Sequence, residues 1–504
     1  MPNAPSASPV RPTSSTRRAL GLLAILLVLM GFAFQGSRPL WSRDEGRYTD
    51  NALQMIASGD YLVPAYNVDR TNFNKPPMTA WLIAASVRTF GHNTWAVRTP
   101  YALAFIFTAL LLAGMGRTLM PDKFWLPGLV YACTVFPFLS ANIVSTDVFL
   151  TLFEALAGFG FVRAFLDAKA RHPRRWAWLM WLGFGLAFLT KGPPGLMPLL
   201  AMVPFAARQN GWRGLGRLFT PVGLLIFLLV GLGWYAAVVL THPGLLEHYL
   251  KYEVYDRVFT TVHDRHGQWY GWIKVYLPAL LLGTLPWWWT LLRGMRAALT
   301  PSRLQSLWLQ AGPKLFLLLW FVLPLCVFIL ARSRLPLYLM PLFVPLAMLL
   351  AYMLRARIDL RRTRQRVLLG AWIVLLLVVK AGAAYHRQPN IDNELRSQTF
   401  LAAVQNTRYD ALVFIRDSDS QNDIDETTPW GMRLYLRKPI YGIPWRTADS
   451  RTTLCALAKR HPHLMYAVGW RTSVDEVTQA LTTCAPGRFS ILGKWDKHTL
   501  IALK

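Results

Sequence analysis

The sequence predicts a polytopic α-helical membrane protein with a small α/β domain at its C-terminal end. Three observations lead there. Hydrophobic residues make up 54% of the 504 and charged residues only 16%, with a mean hydropathy of +0.29, a balance foreign to soluble domains. Apolar runs near the ~20 residues needed to cross a bilayer recur between residues 20 and 385. Residues 386–504 lack such runs and carry short β-like stretches instead. Four cysteines are too few for a disulfide framework in so long a chain. A net charge of +28 would suit nucleic acid if Lys and Arg shared one surface or segment. They sit instead in short clusters between the apolar runs, the positive-inside pattern, so no nucleic-acid partner is expected.

Residues 1–18 are rich in Ser, Pro and Thr, close on Arg17-Arg18, and read as a cytoplasmic tail. No small-residue cleavage site follows the run 20–34, which reads as an uncleaved first span rather than a signal peptide. Further runs at 99–119, 124–140, 148–166, 176–190, 194–207, 218–241, 271–292, 315–331, 335–354 and 367–385 bring the count to eleven spans. A hidden hairpin would raise it to thirteen without changing the side on which the chain ends. Lys and Arg in alternate connections decide the orientation. One set holds Arg117 and Lys123, then Arg163, Lys169, Arg171, Arg174 and Arg175, then Arg208, Arg213 and Arg217, then Arg293, Arg296, Arg303 and Lys314, and finally six arginines over 355–366. The other set of short connections holds only Lys191, Arg332 and Arg334. The N-terminus is therefore expected inside. Residues 37–98 and 241–270 become outer loops of a membrane domain 19–385, and 386–504 an outer soluble domain. In that last domain, 411–415 reads as a strand, and 489–492 and 500–503 as a pair joined by the turn Trp495-Asp496-Lys497-His498. Cys455 and Cys484 fall where an oxidising compartment permits a disulfide, and Cys133 and Cys326 fall within spans as expected packed thiols.

Candidate chemistry collects in the outer segments. Arg43-Asp44-Glu45-Gly46-Arg47-Tyr48 sets two adjacent carboxylates at the membrane surface, able to bind a metal or position an acceptor, or simply to open a solvated loop. Asn74-Lys75-Pro76-Pro77 puts a cation before a double proline that enters an apolar helix 78–87, suited to lying along the interface. Asp147, in Ser145-Thr146-Asp147, either caps the helix that starts beside it or contacts a metal or substrate. Lys191, in Thr190-Lys191-Gly192-Pro193-Pro194-Gly195, either binds a phosphate at headgroup level or snorkels to bulk lipid. Arg332 and Arg334 break the positive-inside rule, which asks for an anionic ligand, and Tyr338 adds a hydroxyl or an interfacial anchor. In His263-Asp264-Arg265-His266-Gly267-Gln268-Trp269-Tyr270 the aromatics can stack on a sugar ring or form a membrane belt.

The order RDEGRY, NKPP, STD, TKGPPG, the HxR aromatic loop and RLPLYLMP resembles the bacterial lipid-linked-sugar transferases related to protein O-mannosyltransferases and to the aminoarabinose transferase of lipid A, over about residues 20–355. The resemblance implies a C-type glycosyltransferase fold in the bacterial inner membrane, with the N-terminus cytoplasmic and the C-terminus periplasmic. It implies transfer of a sugar, by inverting displacement, from a polyisoprenyl (undecaprenyl) phosphate to a lipid, glycan or protein acceptor on the periplasmic side. Asp44, Glu45 and Arg47 are then the catalytic candidates, and Lys75, Lys191, Arg332, Arg334 and Tyr338 the donor-phosphate ligands. His263, Arg265, Trp269 and Tyr270 are the substrate contacts. The family usually has an acidic residue where this chain has Asn74. No cofactor is required on this reading, and a divalent cation shared by Asp44 and Asp147 is the metal arrangement left open. A transporter or flippase of a lipid-linked or anionic substrate is the alternative use of many spans. Against it, the candidates collect on one side and the spans hold few charges apart from Glu154 and Lys380.

Overall fold

Backbone N–H and C=O groups have no partner in hydrocarbon, so apolar runs that cross a bilayer must satisfy themselves as helices. The computed structural model of the chain describes residues 14–41, 43–251, 266–298, 300–388, 390–405 and 407–503. Six helical stretches there are long and apolar enough to cross a membrane: Thr94–Leu119, Thr146–Leu166, Pro221–Thr241, Pro313–Leu330, Pro336–Leu354 and Thr363–Tyr385. A pair bent by 108°, Gly271–Gly283 with Trp288–Gly294, makes a seventh if counted as one span. The other apolar runs read from the sequence are helical as well, in shorter or more charged pieces. Residues 124–140 split into Leu126–Ala132 and Val135–Ser140, and 176–190 belongs to Pro173–Lys191, whose first turn carries Arg174 and Arg175.

The first expected span lies within helix α1 (Ser14–Phe32). The segment 37–98 is far from an open loop. It contains α2 (Asp44–Ser58), a hairpin of β1 (Ala65–Asn67) with β2 (Arg70–Thr71), α3 (Met78–Phe90), and the start of α4 (Thr94–Leu119). Asp44 and Glu45 stand in the first turn of α2, where the helix dipole favours negative charge, and Gly59 ends it in the left-handed region. The double proline precedes α3 directly, and Asn93 caps α4 by accepting from the Ala96 N–H. The helices Thr146–Phe161 and Pro173–Lys191 share the most extensive helix contact among the described residues. Beneath them Phe161 stacks on Phe316 at 4.6 Å. The intramembrane cation Lys380 donates to the Met30 and Gly31 carbonyls at 3.1 and 2.8 Å, so it satisfies the open C-terminal end of α1.

The C-terminal residues form a five-stranded mixed sheet in the order β4-β3-β5-β7-β6. Its strands are β3 (Ala411–Arg416), β4 (Ile440–Pro444), β5 (Leu464–Gly469), β6 (Phe489–Trp495) and β7 (His498–Leu503). β3 runs parallel to β4 and β5, with Leu412 opposite Ile440 and Met465. Both β3 and β5 are buried along almost their whole length, as strands covered on both faces must be. β6 and β7 make the expected hairpin, with Asp496 at φ 50° in its two-residue turn. Cys455 and Cys484 join the helices Ser450–Arg460 and Val474–Cys484 in a disulfide with Cα atoms 5.5 Å apart. Cys133 is buried as expected, whereas Cys326 is exposed on Pro313–Leu330. A span buries only one face against its neighbours, and lipid accepts the small apolar thiol on the other.

The sheet domain is seated on α2. A Cβ at Gly46 would come within 2.6 Å of the Gly431 nitrogen, so only glycine permits this approach. Beside it the Tyr435 hydroxyl accepts from the Leu40 N–H at 2.8 Å. Arg433 donates to Gln54 and to the Tyr66 carbonyl at 2.8 and 3.1 Å.

We predict that replacing Cys455 and Cys484 with Ser lowers unfolding stability by about 2–4 kcal/mol, the effect expected for opening a loop of this order. The thermal midpoint of the purified chain measures it, and an unchanged midpoint would show the cross-link to be dispensable.

Candidate functional site

A cavity of about 520 Å³ opens between the long helices and the 331–338 segment. Its polar end is lined by Asn74, Lys75, Asp147, Lys191, Ser333 and Tyr338, and its walls by Phe188, Met197, Leu232, Val239, Leu250 and Phe328. Local sequence places each polar group. Ser145 is extended and makes no side-chain cap, so the helix begins with Asp147 in its first turn, and the carboxylate projects into the cavity instead of closing the helix end. Lys191 is the last residue of Pro173–Lys191, stopped by Gly192 at φ 74°. A side chain at residue 192 would be strained and 3.1 Å from the Tyr235 hydroxyl. The Lys191 ammonium donates to Asp147 Oδ1 at 2.5 Å and lies 4.3 Å from the centre of the Tyr338 ring. Lys75 reaches the same end and donates to the Asn74 carbonyl at 2.9 Å. The Ser333 hydroxyl is buried with no hydrogen-bond partner among the described residues. Two lysines, an aspartate and two hydroxyl groups thus meet at this end, next to apolar walls. That arrangement suits an anionic head on a hydrocarbon tail.

Glu45 occupies a different place. It is buried and absent from the cavity lining. Arg38 grips it with two hydrogen bonds at 3.0 and 2.6 Å, and Arg98 with one at 3.1 Å. The Trp41 and Val144 N–H groups complete the set at 2.7 and 3.0 Å. Burial alone would raise its pKa, but the two guanidinium groups outweigh burial and hold it at about 2. Asp44, one residue earlier, is half-exposed and paired with Arg47. Arg47 also reaches Glu426 of the sheet domain at 4.0 Å. Tyr48, half-buried on α2, feels the charge of both the Asp44 and the Asp147 carboxylates. Burial first, and Asp44 second, push its hydroxyl above the usual range. Asp50 behaves oppositely to Glu45. Burial raises it to about 7, since Arg433 at 3.3 Å offsets only part of the desolvation.

Several expected contacts are not gathered here. Arg334 is buried, and its guanidinium donates to the carbonyls of His266, Gln268 and Ile329 at 2.6, 2.7 and 2.9 Å. Through these three bonds it ties the 266–268 segment to the 333 turn, and it is absent from the cavity lining. Arg332 is exposed and outside the lining. Trp269 and Tyr270 meet edge to face at 5.6 Å; Trp269 is 81% and Tyr270 37% exposed, and neither lines the cavity. His263 and Arg265 lie outside the described residues. Asp44 and Asp147 are a poor fit for a shared divalent cation, since each already faces a cation of the chain. Among the described residues no group of three His, Cys, Asp or Glu side chains is placed to hold a metal. Ser333, not a candidate from sequence, joins the site through position alone. Its signal was only adjacency to the RLPLYLMP motif.

Cationic groups closing an apolar cavity at the end of membrane-spanning helices, with a sheet domain docked above, define an integral membrane protein of the C-type glycosyltransferase fold. The crystal structure of ArnT from Cupriavidus metallidurans bound to undecaprenyl phosphate superposes with a TM-score of 0.73 over 96% of this chain and 97% of that one, at 19% identity. An oligosaccharyltransferase from Archaeoglobus fulgidus reaches 0.53 over 84% of this chain and 63% of that one, at 12% identity. Residues 74–235 match the family described as dolichyl-phosphate-mannose-protein mannosyltransferase. Undecaprenyl phosphate-alpha-4-amino-4-deoxy-L-arabinose arabinosyl transferase 2 of Pseudomonas fluorescens (strain Pf0-1) is 31% identical over 392 residues, 76% of this chain and 68% of that one. The chain belongs to this arabinosyl transferase family. The match to the Edwardsiella ictaluri (strain 93-146) member, also 31% identical, spans 65% of this chain and 58% of that longer protein.

Two predictions follow from the buried charges. Glu45→Gln should destabilise the chain by about 3–5 kcal/mol by stranding two buried guanidinium groups, read as a lower thermal midpoint in detergent. A midpoint within a degree of the wild type would refute this reading of the cluster. Because Glu45 is depressed, its contribution is complete above pH 4.5 and is lost as pH falls toward about 2. Asp50 is raised, so the folded state holds its proton longer, and stability should decline as pH rises from about 4 to about 7. Asp50→Asn should remove that decline in a pH series of unfolding curves.

Proposed function

We propose that the chain is a glycosyltransferase that moves a sugar from undecaprenyl phosphate to a cell-envelope acceptor such as lipid A, another glycan or a protein. The observation that carries this reading is the pair Lys75 and Lys191 at the polar end of an apolar cavity. The names of the family members point to 4-amino-4-deoxy-L-arabinose as the sugar. In the reaction an acceptor oxygen attacks the anomeric carbon, the bond from that carbon to the phosphate oxygen breaks, and the electron pair leaves with the phosphate. The phosphate goes from one negative charge as a diester toward two as a monoester. Cations beside it therefore bind the transition state more strongly than the donor, which is what lowers a barrier. Asp147 holds the Lys191 ammonium in place, and Tyr338 and Ser333 offer hydroxyl groups at the same end. Asp44 takes the proton of a hydroxyl acceptor, or positions a phosphate acceptor that is already ionised. Glu45 and Arg334 act as positioning residues, one for α2 and one for the 266–268 segment.

We place this chemistry on the periplasmic face. The distribution of Lys and Arg favours a cytoplasmic N-terminus, and the Cys455–Cys484 disulfide favours an oxidising compartment for the sheet domain. On this reading 1–18 is a cytoplasmic tail, 19–385 the transfer domain and 386–504 the periplasmic domain.

Transfer of labelled sugar from undecaprenyl phosphate in vesicles is the test. Lys191→Ala and Lys75→Ala should each lower the rate by about 100-fold or more, the scale for losing one charge-stabilising donor, while the exposed Arg332→Ala should keep nearly all of it. Full transfer by both lysine variants, inserted at normal levels, would remove the cavity from the reaction. No transfer by the wild type would remove the activity.

A further inference from the structure

A second cavity, of about 430 Å³, lies where the sheet domain meets the C-terminal half of α2. It shares no lining residue with the first. Leu53, Ile56 and Val68 give it an apolar side, and His92, Arg437 and Lys438 a basic one. No carboxylate lines it. Arg433, at its edge, is already balanced by Asp50 at 3.3 Å, and the nearby Asp69 is paired with Arg460. Arg437 and Lys438 have no side-chain partner among the described residues. The cavity is thus left with two uncompensated cations.

Their placement is specific. Arg437 ends the helix Met432–Leu436 at φ 54° and ψ 30°, a left-handed conformation that L residues rarely hold, and Arg437 and Lys438 both face the cavity. His92 lies in the short turn between α3 and α4, and α4 is one of the spans. It is flanked by Phe90 and Trp95, which are exposed and meet edge to face at 5.2 Å. Exposed aromatics at the start of a span mark the depth of lipid headgroups. The basic side of the cavity therefore lies at the level of lipid phosphates, with an apolar floor beside it.

We propose that this cavity is a second phosphate site that takes the headgroup of an anionic lipid, with the phosphate against Arg437 and Lys438 and the adjoining apolar part on Leu53, Ile56 and Val68. Occupancy would join the sheet domain, α2 and the α3–α4 turn through one ligand and stabilise the domain on its seat. A soluble anion would gain nothing from the apolar floor, and a neutral lipid nothing from the cations.

The test uses the full-length purified chain in neutral detergent micelles, with the thermal midpoint followed during titration with phosphatidylglycerol, phosphatidylcholine or inorganic phosphate. The expected result is a saturable rise with phosphatidylglycerol alone, retained in Lys191→Ala, which alters only the first cavity. Arg437→Gly suits the left-handed backbone and so keeps the fold. It should weaken the response about fivefold, and the Arg437→Gly, Lys438→Gln double variant roughly 25-fold, at the strength usual for a basic residue near an anionic lipid surface. An equal rise with phosphatidylcholine, a full response to inorganic phosphate, or an unchanged response in the double variant would each overturn the proposal.

Discussion

The arrangement of the site depends on one buried carboxylate. Glu45 accepts from Arg38, Arg98 and two backbone N–H groups, and through them binds the first turn of α2 to the chain after α1, to α4 and to residues 142–144. A lone charge at this depth would cost several kcal/mol, and even a pair is favourable only when its geometry and remaining hydrogen bonds are complete. They are nearly complete here, since Arg38 also donates to the Asn142 carbonyl and Arg98 to that of Pro39. The consequence is positional. Asp44 precedes Glu45 and Asp147 follows Val144 by three residues, so one network sets the spacing between the two acidic segments.

A second constraint acts from above. The close approach of Gly46 and Gly431, with Arg433 reaching Gln54 and the Tyr66 carbonyl, clamps α2 between the helical region and the sheet domain. Charge is handled differently in the two cavities. At the first cavity Lys191 is balanced by Asp147, and Lys75 reaches the same end. At the second, Arg437 and Lys438 stand without acidic neighbours in the lining.

Much of this was legible in the chain. Hydropathy and the spacing of prolines give a helical membrane protein, and short apolar stretches give the hairpin of β6 and β7. The NKPP, STD and TKGPPG motifs contain three of the polar groups that meet at the cavity, Lys75, Asp147 and Lys191. For Arg334 and Glu45 the sequence reports a charge but not its partners. Both look like residues awaiting a ligand, and both are held within the protein, one by carbonyls of the 266–268 segment and Ile329, the other by arginines 7 and 53 residues away. Hydropathy measures the transfer of a run into lipid and not whether it remains one helix, which is why the run 124–140 is two short helices in the structure.

By itself, then, the sequence determined the solvent in which this protein folds, the chemical types available on one side of the helices and the presence of a separate sheet, because composition and periodicity act locally. Only the tertiary structure decided which charges face a ligand and which face each other. That choice depends on burial and on donors brought from distant positions, and a buried charge takes its partner from whatever the fold places within about 3 Å.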